Sequence, residues 1–258
     1  MSIFSKVLMR IRGGRGEPDR QQITLPVLRP EFEGLMFSGL AIQKLLDEYE
    51  FDTVLDLGSG EGLHSDAFMR HGKAVTAIDF GRSVYFQKRQ GTPGLETIVA
   101  DFNDLVIERQ FDCVWCSHVL EHQLNPHLFL RKVHGATREG GVLAVTVPPL
   151  KHEIVGGHVS LWNAGLVLYH LVLAGFDCSA ARVLGYGYNI SVIVRKRSVS
   201  VLPGVAFDAG DIRKIRGSLP AQLAYRSNDV DDPFCGDIPE LNWISREPSA
   251  GGDRGRHP

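Results

Sequence analysis

Three features of the sequence predict an α/β chain, with helices on both faces of a mostly parallel sheet. Residues 53–195 alternate short apolar runs with helical patterns, the mark of strands joined by helical crossovers. The first run, VLDLGSGEG from Val54 to Gly62, reads as a buried strand ending in a tight turn that opens a helix. Its three glycines, Gly58, Gly60 and Gly62, are spaced two apart. The runs that follow end in Asp79, Asp101 and Ser117, polar residues where the next connection begins.

Taken in order, residues 38–49 read as a helix, with Ser38 placed to cap it and Leu40, Ile42, Leu45 and Leu46 as its apolar face. The Val54–Leu57 strand and a helix over 62–71 follow. KAVTAIDF (73–80) is a second strand, 82–89 a helix, LETIVADF (95–102) a third strand and FDCVWCS (111–117) a fourth. A helix over 125–138 leads to the turn and fifth strand of EGGVLAVTVPP (139–149). A helix over 160–174 then precedes strands at 176–184 and 188–196. The four-residue GYGY turn (185–188) makes the last pair antiparallel, because a parallel pair needs a long crossover. Residues 1–37 read as an N-terminal arm broken by glycines and prolines, and 38–197 as the α/β domain. Residues 198–258 form an extension with a short helix near 210–217 and a disordered end.

At 258 residues, one domain with modest additions is expected. A formal charge of −2 gives no global attraction to nucleic acid or anionic membranes, so nucleic acid is disfavoured as a partner. Four cysteines form no disulfide framework. Cys113 and Cys116 lie three apart on a strand and so point to opposite faces, as core residues rather than a redox or zinc pair. No apolar run is long enough to span a membrane, and the N-terminus lacks a continuous signal-peptide core, so a cytoplasmic location is expected. Residues 1–16, basic with a short apolar stretch, offer at most a weak peripheral membrane contact. Nothing in the sequence fixes an oligomeric state.

Glycines let a backbone approach a ligand closely, and the helix that follows aims its free N–H groups at the same place. A nucleotide-like cofactor fits there. The dinucleotide pattern is G-x-G-x-x-G; here the third glycine comes one residue early, and Asp56 stands two before the first. This pattern resembles the first motif of class I S-adenosylmethionine (SAM)-dependent methyltransferases. The resemblance covers roughly residues 50–150 and extends more weakly to about 195. It implies a Rossmann-like, mostly parallel seven-stranded sheet with an antiparallel last strand, and SAM as cofactor. It places Asp56, Gly58, Ser59, Gly60 and Gly62 at the cofactor turn and Asp79 with Phe80 at the ribose diol. Asp101 and Phe102 fall at the adenine, and Ser117 at the end of the fourth strand.

SHVLEHQLNP (117–126) is similar to the segment after the fourth strand in small-molecule methyltransferases of the ubiquinone-biosynthesis type. It crowds His118, Glu121 and His122 beside the expected methyl group. An acceptor hydroxyl or ammonium must lose a proton, and a histidine titrating near neutrality suits that task. His122 is the first candidate base and His118 the second, with His158 approaching from the loop after the fifth strand. The acceptor expected is a small molecule or a glycan-linked group, methylated on O or N. Two alternatives stay open. His118-x-x-Glu121-His122 with His158 offers metal ligands, similar to small-RNA 2′-O-methyltransferases, although His118 stands where those enzymes have an acid. The other is a SAM-binding protein without catalysis. Trp162 reads as packing or as an acceptor wall, His170 as structural, and His64 as lining the cofactor pocket or solvated.

Overall fold

The computed structural model describes residues 24–244, apart from Met36, Ala209 and residues 226–232. The expected peripheral contact of residues 1–16 and the disordered chain end therefore lie outside the described residues. Helix α1 spans Gly39–Glu48 and strand β1 Thr53–Leu57, followed by α2 (Leu63–Arg70), β2 (Ala74–Asp79), β3 (Glu96–Val99) and β4 (Phe111–Ser117). Next come α3 (Pro126–Ala136), β5 (Thr137–Val147), α4 (Ala164–Ala174), β6 (Arg182–Tyr186), β7 (Asn189–Arg195), α5 (Asp211–Ile215) and β8 (Glu240–Leu241). The sheet order is β3-β2-β1-β4-β5-β7-β6-β8. Strands β1 to β5 pair in parallel, whereas β7 runs antiparallel to both β5 and β6. The expected seven strands are thus present, and the two-residue β8 adds an eighth at the β6 edge.

Strands shielded on both faces read as continuous apolar runs, and β1 and β4 are buried almost throughout. Their alternate side chains feed two cores. Leu55 and Leu57 join Phe129, Val133, Leu168 and Leu171 on the α3–α4 face. Val54 joins Leu40, Ile42, Leu45 and Phe68 on the α1–α2 face. Cys116 belongs to the first core and Cys113 to the second, the opposite-face placement that the odd spacing requires. Among the described residues no helix is long and apolar enough to cross a membrane.

Three expectations need correction. Residues 82–89 form only a 3-10 turn at Phe86–Lys88. Val84 is 68% and Tyr85 45% exposed, so the segment has no apolar stripe to bury, and packing is what stabilises most short helices. Ser38 does not cap α1: its φ is 61°, and its hydroxyl instead bonds Ser117 Oγ at 2.7 Å. Helix α4 starts at Ala164, not Ser160, because Asn163 Oδ1 accepts the Leu166 N–H and fixes the first turn.

Candidate active site

The site is built at the carboxyl ends of β1, β2, β3 and β4, outside a topological switch point where β1 and β4 lie side by side. Gly58, Gly60 and Gly62 all have positive φ (68°, 50° and 89°), a backbone path that side-chain-bearing residues rarely follow. A Cβ on Gly58 would stand 2.3 Å from Val119 Cγ2, so the glycine turn and the turn after β4 are in direct contact. A Cβ on Gly60 would stand 3.3 Å from Tyr85 Cβ, tighter than most real contacts, so the turn also passes close to the segment after β2.

Asp79 closes the turn. Its Oδ2 accepts the Gly60 N–H and its Oδ1 the Gly81 N–H, both at 2.8 Å. A carboxylate has about four lone-pair sites, so each oxygen keeps one for a further donor such as a ribose hydroxyl. Phe80, next along, is 52% exposed, with the Arg82 guanidinium over its ring. Arg89 donates to Ser59 Oγ at 2.9 Å and to Thr97 Oγ1 at 3.0 Å, tying the turn to β3. Asp101 Oδ1 accepts from Asn103 N at 2.8 Å. The Phe102 ring is buried against Phe129, so only its backbone is free to meet a ligand. These glycines and the strand-end carboxylate fit an adenosyl cofactor.

Asp56 sits deeper. It is buried and accepts the Ser65 hydroxyl at 2.5 Å, which clamps β1 to α2 from below. Burial pushes its carboxyl up to about 6, against the Ser65 hydrogen bond and the Arg89 charge. His64 is half-buried and hydrogen-bonded on both ring nitrogens. Its Nδ1 accepts the Trp115 indole N–H at 3.2 Å, so its Nε2–H donates to Phe37 O at 3.0 Å. Burial holds its imidazolium down at about 4, with the Phe37 bond opposing and His118 reinforcing.

These two groups make opposed contributions to stability. Between about 6.5 and about 4, acid protonates His64 in the unfolded chain but not in the folded one, so stability falls as pH falls. Between about 6 and 3.8, acid protonates Asp56 in the folded chain first, so stability rises as pH falls. Acidification from pH 7 to 4.5 will therefore raise the stability of His64→Gln, and lower that of Asp56→Asn, by ~2 kcal/mol each relative to wild type. Urea midpoints at the two pH values check the sign.

After β4 the chain enters a second strained turn. His118 has φ 56° and clusters with the Phe37 and Tyr188 rings, with centroids at 4.3 and 6.0 Å from its own. Its Nε2 meets Asn189 Oδ1 at 3.0 Å, while its Nδ1 lies 3.3 Å from Glu121 Oε1. His122 places Nδ1 2.7 Å from Gly157 O and Nε2 3.9 Å from Glu121 Oε1. The His122 side chain is 44% exposed, against 13% for His118. His158 meets the His122 ring edge to face at 5.0 Å. Burial keeps its imidazolium below the ordinary range, with His122 and His118 adding to the effect and Glu121 opposing it.

The structure thus brings His118, Glu121, His122 and His158 together, beside the glycine turn. Ser117 lies at the edge of this group, bonded to Ser38. Trp162 is buried and packs edge to face on His170, so it serves the core rather than an acceptor wall. Phe37, Tyr188 and Asn189, which orient His118, escaped the sequence reading. The signal for Asn189 was a polar residue at the start of an otherwise apolar strand directly after the GYGY turn.

Residues 55–145 match the family model described as a methyltransferase domain. The chain is 36% identical over 97 residues to a ubiquinone biosynthesis O-methyltransferase of Pseudomonas paraeruginosa (strain DSM 24068 / PA7), covering 34% of this chain and 41% of the relative. The same-named protein of Azotobacter vinelandii is 34% identical over 97 residues, 34% of this chain and 40% of the relative. The chain thus spans about two fifths of the length of the curated relatives it matches. Among solved structures, N-methyltransferase NodS from Bradyrhizobium japonicum WM9 aligns with TM-score 0.50 and 16% identity, over 61% of this chain and 85% of that one. Human N-acetylserotonin methyltransferase aligns with TM-score 0.50 and 16% identity, over 62% and 53%. Both share the fold. The glycine turn, the strand order and the matched segment agree: the chain carries a class I SAM-dependent methyltransferase domain.

Proposed function

We infer that the protein transfers a methyl group from SAM to an oxygen or nitrogen of a small-molecule or glycan-linked acceptor. Oxygen is favoured, because the matched curated relatives are named O-methyltransferases. A cytoplasmic location belongs to the same reading. The observation that carries it is the contact between the two turns: the Cβ position of Gly58 lies 2.3 Å from Val119, whose neighbour is His118. Groups able to hold a cofactor and groups able to take a proton therefore share one mouth.

SAM supplies an activated methyl on a sulfonium, so the protein's main task is alignment. The backbone of the Gly58–Gly62 turn and the Asp79 carboxylate hold the cofactor, with Asp101 and the Phe102 N–H on its base. Donation of His122 Nδ1–H to Gly157 O leaves Nε2 with a lone pair on a half-exposed ring, as a general base needs. His118 is more enclosed, and Asn189 occupies its Nε2, so it serves to position the turn. A half-open cavity of about 240 Å³, lined by Pro149, Tyr186, Asn189 and Ile238 among others, lies between the β6–β7 hairpin and the C-terminal extension.

His122→Ala will lower turnover by ~100-fold or more while leaving the affinity for S-adenosylhomocysteine (SAH) nearly intact. The assay is SAH release over a panel of hydroxylated aromatics, nucleotide sugars and surface-glycan fragments. Unchanged turnover on the accepted substrate removes His122 from the reaction.

A further inference from the structure

The β2–β3 connection departs from the pattern of the rest of the sheet. Parallel strands are normally covered on both faces by helices. Strand β3 stands at the sheet edge beside β2, and Glu96, Thr97 and Val99 in it are all exposed. The segment that would supply the covering helix forms only the 3-10 turn Phe86–Lys88.

That segment instead reaches back to the glycine turn, residue by residue. Arg89 Nη1 donates to Ser59 Oγ at 2.9 Å. A Cβ on Gly60 would meet Tyr85 Cβ at 3.3 Å, and one on Gly62 would touch Arg89 Cζ and Nη2 at 3.5 Å. Lys88 Nζ lies 4.0 Å from Glu61 Oε1. Among these side chains Arg89 also reaches the neighbouring strand, because its Nη2 donates to Thr97 Oγ1 at 3.0 Å. The planar guanidinium holds both acceptors at once, in a fixed fork that a flexible ammonium cannot reproduce. The Phe86 ring lies beneath it, with the centroid 5.7 Å away.

The two acceptors belong to different halves of the cofactor site. Ser59 lies in the glycine turn that Asp79 closes, and Thr97 lies in the strand that leads to Asp101 and Phe102. We propose that Arg89 is a positioning residue for the cofactor: in place of a covering helix, it fixes the glycine turn relative to β3, so that both ends of an adenosyl group meet their partners together. When two halves are not held in advance, binding has to order them and affinity falls by that cost. The tether stands on the hydrogen bonds; its consequence for SAM rests on the cofactor site described above and deepens it. Thr97 makes none of the contacts assigned to the cofactor. Any effect of its hydroxyl on affinity therefore passes through Arg89.

The test is calorimetry with SAH on the full chain, with urea unfolding of each variant alongside. Arg89→Ala should weaken SAH binding by ~10-fold or more, and Arg89→Lys by less, since an ammonium still reaches one acceptor. Thr97→Val should weaken binding by ~5-fold in the wild-type background and leave it unchanged in the Arg89→Ala background. Guanidinium ion added to Arg89→Ala, below denaturing concentrations, should restore part of the affinity, and sodium chloride at equal ionic strength should not. Unchanged affinity in Arg89→Ala, or losses from Arg89→Ala and Thr97→Val that simply add, overturns the proposal. A loss that follows the urea midpoint and is not relieved by guanidinium also overturns it, and makes Arg89 a support of the fold alone. If the wild type binds NADH and not SAH, the cofactor reading itself fails and takes this role with it.

Discussion

Asp79→Ala will lower SAH affinity by at least ~100-fold. In the protein its two oxygens hold the Gly60 and Gly81 N–H groups, and their remaining lone pairs are the acceptors offered to a ribose diol. Each hydrogen bond to a charged group contributes about 1.5–3 kcal/mol, so losing two at the ligand alone spans roughly two to four decades. The variant also frees the glycine turn. Asp79→Asn separates the two losses, because its amide oxygen still accepts one backbone N–H. Its SAH affinity should fall between those of wild type and Asp79→Ala. Equal affinity in all three proteins, measured by calorimetry, would remove Asp79 from the site.

Gly58→Ala will destabilise the fold by about 2–4 kcal/mol and weaken SAH binding at least ~10-fold. Two physical effects add. At φ 68° an L-residue is strained, and the new methyl falls 2.3 Å from Val119 Cγ2, closer than any real contact. Val119 is not free to yield: its carbonyl accepts the His122 N–H at 3.1 Å. The push therefore reaches the histidine turn. Adding Val119→Ala to Gly58→Ala removes the clash and keeps the φ strain, so the double variant should recover part of the lost stability. A single variant as stable as wild type by urea unfolding would contradict this packing.

Legibility in the sequence followed burial. Strands β1, β2, β4, β5 and β7 lie inside the sheet, and their apolar runs announced them within a few residues. The predicted helix over 82–89 failed because its apolar residues have no core to meet, and local pattern carries no information about that. The extension is a similar case: β8 is two residues long and exists only because β6 offers an edge, and Trp243 is buried on the α1–α2 face.

The residues of the candidate site were named from their place at strand ends, and the structure gathers them around two touching turns. What the sequence could not convey is how each one is wired. Glu121 was named as a neighbour of the methyl group and a possible metal ligand, yet its side chain is sealed from solvent with no hydrogen-bond donor. The partners that set the histidine tautomers, Gly157 and Asn189, lie 35 and 71 residues away in the chain. Asp56 belonged to the cofactor motif by spacing, but its contact in the fold is Ser65, and its effect on any cofactor passes through the shape of the turn.

The central claim is that the Gly58–Gly62 turn with Asp79 is a SAM site, and calorimetry on the wild-type protein tests it most directly. SAM and SAH should each bind with one-to-one stoichiometry, in mutual competition, and NADH should give no binding heat. Binding of NADH together with silence toward SAM and SAH would contradict it.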